Sequence, residues 1–182
     1  MMSSLNNFSV PLLGFAAYSG TGKTTLLTQL IPQLTALGLN IAVVKHSHHD
    51  IEIDKPGKDS YQLRKAGACQ LLLAGTKRAI LFNEYEKKED KKLSEQLQLL
   101  DADCLDLVLV EGYRDEPFNK IELHRSSLNK AYLFENDTNI IALASDKKLQ
   151  NCHVTQLDIN NLSQLIQFIL DYLQTQRSKL NR

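Results

Sequence analysis

The apolar residues of this chain fall into short blocks, and the spacing inside the blocks switches between two periods. Pro11-Leu12-Leu13-Gly14-Phe15-Ala16 is a continuous apolar run and predicts a buried strand. From Thr24 to Leu37 the period lengthens. Leu26, Leu27, Leu30, Ile31 and Leu34 recur at helical spacing, with Gly38 as the stop. Pro32 inside that stretch is expected to kink the helix. Ile41-Ala42-Val43-Val44, ending at Lys45, predicts a second buried strand. Ser60 to Lys65 predicts a short helix ended at Gly67, and Cys69–Ala74 and Ala79–Phe82 predict two more strands. Leu93 to Leu100 continues as a helix. Leu105-Asp106-Leu107-Val108-Leu109-Val110 is the strongest strand signal of all. Ile121-Glu122-Leu123 alternates like an edge strand, and Ile140–Ala144 reads as buried. Asn161 to Gln174 is amphipathic, with Leu162, Leu165, Ile166, Ile169 and Leu170 on one face.

Strands alternating with helices predict an α/β, three-layer fold in which a mainly parallel sheet is flanked by helices. The 182 residues are expected to form one domain, with residues 1–9 and 176–182 frayed. In such sheets ligands bind at the carboxyl ends of the strands. The segment after the first strand, Lys45, Glu111 and Ser145 all follow predicted strands, so one rim collects them.

The first of these segments carries the clearest chemistry. Ala17-Tyr18-Ser19-Gly20-Thr21-Gly22-Lys23-Thr24-Thr25 sits between a strand and a helix, the context that makes a P-loop physically credible. Successive backbone N–H groups of Ser19, Gly20, Thr21, Gly22, Lys23, Thr24 and Thr25 would form a nest for anionic oxygens, and the helix start adds partial positive charge. Lys23 supplies a full charge for the terminal phosphates, and the Thr24 hydroxyl can ligate Mg2+. Ala17 stands where the usual pattern has glycine. Alanine is the smallest replacement, and Gly20 and Gly22 keep the loop free to turn.

Val108-Leu109-Val110-Glu111-Gly112 has the form of a Walker B segment, a buried strand delivering a carboxylate to its exposed end. Glu111 can hold Mg2+ or orient an attacking water. Lys45-His46-Ser47-His48-His49-Asp50 follows the second strand. Its three histidines and aspartate are ligands enough for Zn2+ or Ni2+, but adjacent side chains on an extended segment point apart, so a closed site needs other ligands. The alternative is a loop that contacts phosphate. Lys45, His46, His48 and His49 can donate to anionic oxygens, and Asp50 can reach Mg2+ or its waters. Asp54-Lys55-Pro56-Gly57-Lys58-Asp59-Ser60 reads as a turn and a helix start, capped by Asp59 or Ser60, with Lys58 and Arg64 near enough to suit an anion.

Composition narrows the partners. With 21 basic and 21 acidic residues the formal net charge is zero, so nothing global argues for nucleic acid or an anionic membrane. No apolar run is long enough to cross a bilayer, and the start lacks the basic and apolar regions of a signal peptide. The run from Glu84 to Lys92 reads as a solvated loop. Cys69 and Cys104 are expected as small core residues. Three scattered cysteines without a C-x-x-C suggest a reducing, cytoplasmic setting.

Taken in order, the P-loop, the Lys-His-Ser-His-His-Asp and Pro-Gly-Lys-Asp-Ser segments, Arg64-Lys65-Ala66-Gly67-Ala68 and Leu109-Val110-Glu111-Gly112-Tyr113-Arg114 resemble the MobB family of molybdopterin-guanine dinucleotide biosynthesis, over about residues 10–146. The resemblance implies a P-loop NTPase-like protein that binds GTP and Mg2+ and hydrolyses GTP weakly, with Lys23 and Glu111 as the catalytic residues. Their own chemistry makes Thr24, Glu111 and Asp50 the expected metal contacts. The resemblance also implies action with the guanylyltransferase MobA, molybdopterin as a further ligand, and a homodimer with a sheet extended across the interface. Lys45, His46, His48, His49 and Arg114 would face the pterin phosphate or the triphosphate. The guanine-reading Asn-Lys-x-Asp is absent. Asn119-Lys120-Ile121-Glu122 is read as strand, and Asp146, at a strand end, is the candidate to accept from guanine N1 and N2. Two other classes share the same loop: a small-molecule kinase, which needs a base and an arginine-rich lid that is not visible, and a metal-insertion GTPase using the histidine loop.

Overall fold

A computed structural model of the chain describes residues 5, 8–47, 49–87 and 89–180. The expected terminal residues 1–4, 6, 7, 181 and 182 lie outside these, as does His48. The described elements are β1 (Leu12–Ala17), α1 (Lys23–Ala36), β2 (Ile41–Lys45), α2 (Asp59–Lys65), β3 (Gln70–Ala74), β4 (Ala79–Asn83), α3 (Leu93–Leu97), β5 (Leu107–Glu111), β6 (Lys120–His124), β7 (Ile140–Ser145), β8 (Thr155–Asp158) and α4 (Leu162–Leu180). By contact density the chain divides into two compact units, residues 1–46 with 92–182, and residues 47–91.

The first unit is built on a six-stranded sheet of order β2-β5-β1-β6-β7-β8. Every neighbouring pair in it is parallel. The α/β, three-layer expectation therefore holds. One face of the sheet carries Leu13, Phe15, Leu107, Leu109, Ile121, Leu123, Ala142 and Ala144 against Leu26, Leu27, Leu30 and Leu34 of α1 and Leu165, Ile169 and Leu173 of α4. Leu30 and Leu34 are wholly buried, and truncating such a leucine to alanine costs about 2–5 kcal/mol. On the other face Leu12, Val108 and Val110 pack with Leu93 and Leu97 of α3, and Ala16, Ile140 and Leu143 pack with Phe134 from the β6–β7 connection. Helix α1 runs through Pro32 as continuous α-helix to Ala36.

Two strands exchange the roles that the sequence suggests. Ile121–Leu123, expected at an edge because of its alternation, lies inside the sheet between β1 and β7, and Glu122 is fully buried. Its carboxyl oxygens accept from the N–H groups of Leu133 (2.9 Å) and Phe134 (2.8 Å), so the buried acid has hydrogen-bond partners. Ile41–Val44, expected to be buried, forms an edge, with Val43 45% exposed. Strand β8 had no predicted counterpart. Helix α3 stops at Leu97 rather than Leu100, and α4 extends past Gln174 to Leu180.

The second unit contains α2 and an antiparallel hairpin of β3 and β4, in register Leu72 with Leu81. The two segments predicted as strands are strands, but they form a sheet of their own. Arg64, on α2, is buried and donates to Glu52 and Glu84, and its guanidinium lies 4.5 Å from the Phe82 ring centroid. It is thus committed to carboxylates and not available to an external anion, which corrects the anion-site expectation at this residue. Burial pulls the Arg64 pKa down, but the bonds to Glu84 and Glu52 outweigh it and leave it above the ordinary value. Neither Asp59 nor Ser60 caps α2. The cap position is Lys58, with no side-chain hydrogen bond. Cys69 and Cys104 are exposed rather than in the core, because Cys69 lies in the bend just before β3 and Cys104 closes a short 3-10 helix ahead of β5.

Candidate functional site

The parallel sheet brings the ends of β1, β5, β2 and β6 to one rim. After Ala17 the chain turns through Tyr18-Ser19-Gly20-Thr21-Gly22 and enters α1 at Lys23, as the P-loop reading requires. Gly22 takes φ +94°, a left-handed conformation that side chains resist, and a Cβ there would meet nothing within 4 Å. The glycine therefore answers a backbone need, and it leaves open space beside the loop. The Thr21 side chain is buried and donates to the Tyr18 carbonyl at 2.8 Å, closing the loop internally. Ser19, Gly20, Thr24 and Thr25 are exposed. The first N–H groups of α1 have no partners within the helix, so this exposed end suits an anion.

Lys23 lies 3.7 Å from Glu111 Oε1, and Lys45 lies 3.6 Å from Glu111 Oε2. The pairing register explains the meeting, since Glu111 stands opposite Phe15 on β1 and opposite Lys45 on β2. One carboxylate thus sits between two ammonium groups at the mouth of the loop. The His46 N–H donates to the Glu111 carbonyl at 2.8 Å. Gly112, at φ +99°, lets the two segments approach, because a Cβ there would lie 2.5 Å from the His46 Cβ. Tyr113, itself at φ +51°, stacks on the His46 ring with centroids 4.4 Å apart. The His46 backbone is thus tied to the end of β5, and its ring is held by Tyr113.

The other predicted residues are less concentrated. Arg114 is exposed in the turn after β5. Asp146, exposed just past β7, accepts from the Ser126 N–H (2.9 Å) and Oγ (3.2 Å). The Ser126 N–H, more than any other cause, holds the Asp146 carboxyl below the usual aspartate range. His49 and Asp50 are exposed residues of the second unit, and the His49 N–H donates to Ser47 Oγ. Among the described residues, no group of three or more histidine, cysteine, aspartate or glutamate side chains is arranged to hold a metal ion. Among the described residues, no helix is long and apolar enough to cross a membrane.

The end of β6 adds residues that the sequence pattern does not single out. Arg125 Nε donates to the Thr21 carbonyl at 3.2 Å, and Lys130 Nζ lies 5.9 Å from the Tyr18 ring centroid. The rule that singled out Lys45 and Glu111, a charged residue at or just past a parallel strand's end, also fits Arg125. An edge position for β6 would carry Arg125 away from the loop, whereas its place beside β1 delivers it there.

This arrangement can be set beside known proteins. The family model of molybdopterin guanine dinucleotide synthesis protein B, MobB, matches residues 12–146. The chain belongs to the MobB family. It is 46% identical over 168 residues to the molybdopterin-guanine dinucleotide biosynthesis adapter protein of Escherichia coli (strain K12), covering 92% of this chain and 95% of that protein. It is 43% identical to the protein so named in Haemophilus influenzae, covering 92% of each. Among solved structures it resembles a crystal structure of molybdopterin-guanine biosynthesis protein B with TM-score 0.71 and 24% identity, over 90% of this chain and 99% of that one. A MobB homolog from Bacillus stearothermophilus matches with TM-score 0.68 and 24% identity, over 90% and 98%. These structural likenesses establish the fold, and the family establishes that this MobB chain serves molybdenum cofactor biosynthesis.

Proposed function

We propose that this MobB protein binds GTP with Mg2+ at its P-loop and acts in the cytoplasm as an adapter for the guanylyltransferase MobA, with at most weak hydrolysis of GTP. The observation that carries the reading is the single carboxylate of Glu111 between Lys23 and Lys45 at the open end of the glycine-rich loop. Two cations share one acid there, an excess that a polyphosphate would balance.

The donor set fits the expected groups. Exposed loop amides and Lys23 suit phosphate oxygens. The Thr24 hydroxyl and the Glu111 carboxylate are hard oxygen donors of the kind Mg2+ takes. Mg2+, when bound, neutralises charge on the terminal phosphates. Lys23 would hold those phosphates, and Glu111 would hold the ion or orient water. Lys45, His46 and Arg114 would face the pterin phosphate of molybdopterin or the triphosphate. Each oxygen of Asp146 retains a lone pair beyond its bond to Ser126, which is compatible with reading guanine. The exposed edge strand β2 supports a homodimer with a continued sheet. The balanced charge supports partners other than nucleic acid or membrane.

Calorimetry with GTP, ATP and GDP, each with and without Mg2+, tests the reading. Mg2+-dependent binding that favours GTP is expected. Tighter ATP binding with transfer of its phosphate to a small acceptor would instead indicate a kinase. Stoichiometric Zn2+ or Ni2+ in untagged protein would indicate metal insertion.

A further inference from the structure

The β6–β7 connection sets the orientation of the phosphate-binding loop. Strand β6 runs parallel to β1 with Leu123 opposite Ala17, so the residues after His124 emerge beside the residues after Ala17. Register alone therefore delivers Arg125 to the P-loop. Its Nε donates to the Thr21 carbonyl at 3.2 Å, and its Nη1 donates to Asn160 Oδ1 at 3.3 Å. Ser126, the next residue, is tied to Asp146 by both its N–H and its hydroxyl. The guanidinium is thus anchored at its far end and through the backbone beside it.

The peptide between Thr21 and Gly22 is planar and trans, so its C=O and N–H point in opposite directions. A carbonyl directed at Arg125 leaves the Gly22 N–H directed the other way, away from Arg125. The Tyr18 carbonyl accepts from Thr21, and the Gly22 carbonyl accepts from the Leu26 N–H at 2.9 Å. With Arg125 in place, the carbonyls of Tyr18, Thr21 and Gly22 are all turned to protein donors. A glycine adjoining this peptide leaves it free to flip, and a flip would present an oxygen to the phosphates in place of a donor.

We propose that Arg125 is a positioning residue that locks the Thr21–Gly22 peptide with its amide facing the phosphate site. This rests on the P-loop reading given above. Arg125 acts through the Thr21 carbonyl and needs no contact with the ligand.

The test titrates Mg2+ and a non-hydrolysable GTP analogue into wild type, Arg125→Ala, Arg125→Gln and Asn160→Ala, following heat and the Gly22 amide resonance. Arg125→Ala should bind about ten-fold more weakly, the size of one lost hydrogen bond to a charged group. Its Gly22 amide should be displaced before any ligand is added. Arg125→Gln, which keeps an N–H donor without the charge, should recover part of the affinity and the wild-type resonance. Asn160→Ala should lose affinity by a few fold, and it keeps the proposal testable if Arg125→Ala does not fold. A lower melting temperature for Arg125→Ala, with affinity and the Gly22 resonance unchanged, would overturn the proposal. So would equal weakening in Arg125→Gln and Arg125→Ala with the resonance unmoved in both, since charge alone would then be acting. A wild type that binds no nucleotide would sink the P-loop reading as well, whereas normal binding by the variants sinks this inference alone.

Discussion

Two places on the same sheet set lysine and glutamate side by side, and they differ in almost every other respect. On β6, Lys120 and Glu122 are buried. Lys120 Nζ donates to Asp137 at 3.0 Å and to the Glu116 carbonyl at 2.8 Å, while Glu122 accepts two backbone N–H groups. Next along the strand, His124 Nε2 donates to the Lys130 carbonyl at 2.9 Å. These three residues rivet the β6–β7 connection to the sheet. At the rim, Lys23 and Lys45 stand 3.7 and 3.6 Å from Glu111, with 19% and 61% of their side chains exposed. Both distances exceed hydrogen-bond length, and solvent-reachable pairs of this kind contribute about 0–1 kcal/mol. A ligand has little to displace there. Charges saturated with hydrogen bonds in the interior build the fold, and charges loosely shared at a strand end are left for chemistry.

The sharpest way to break this contrast is Lys23→Ala. It should weaken Mg2+–GTP binding about 1,000-fold, or about 4 kcal/mol, while stability moves by about 0.5 kcal/mol at most. Calorimetry and urea unfolding on one preparation check both halves. Glu122→Ala should do the reverse. It strands the Leu133 and Phe134 N–H groups and should cost about 3 kcal/mol of stability, with the nucleotide affinity of the folded protein unchanged. The same carboxyl gives a pH signature. Desolvation raises its pKa despite the bonds from Leu133 and Phe134. The folded state therefore holds its proton more tightly than the unfolded chain does. Its contribution to stability is present below the ordinary glutamate value, about 4.3, and is lost as pH rises through the raised one. Denaturant midpoints measured across that range in wild type and Glu122→Gln should show the wild type losing ground relative to the variant as pH rises.

Gly112→Ala should cost about 2 kcal/mol, from a left-handed φ and a Cβ only 2.5 Å from that of His46. Unfolding curves give the cost, and a moved His46 ring resonance would place it at the rim. The smallest effect concerns Asp146. Ser126→Ala removes one of its two partners, so its lowered pKa should move up toward the usual value of about 3.9. Stability from this group is present above that value and is lost as pH falls through the lowered one, so in the variant the contribution should be smaller and its loss complete at a higher pH. Carboxyl carbon shifts followed through an acid titration measure the change.

The sequence shows the loose site far better than the tight one. Glycines flanking a lysine at a strand-to-helix junction have few other uses, and an apolar strand ending in an acid exposes that acid by its own geometry. The rivets were illegible because a glutamate between Ile121 and Leu123 implies solvent unless its partners are known. Leu133 and Phe134 offer only their backbone N–H groups, which no side-chain pattern announces. The same gap made Ile41–Val44 read as interior. Apolarity marks a strand, but its place in the sheet depends on pairings that only the fold reveals. Arg125 went unnoticed for that reason too, since its value comes from β6 lying next to β1.

The most direct test of the contrast is a crystal structure with Mg2+ and a non-hydrolysable GTP analogue. The phosphates should lie on the amides from Gly20 to Thr24, with Lys23 Nζ turned from Glu111 onto the terminal phosphates, while Lys120 and Glu122 keep every bond they have now. Lys23 still paired with Glu111 beside an empty loop, or nucleotide bound elsewhere, would contradict it.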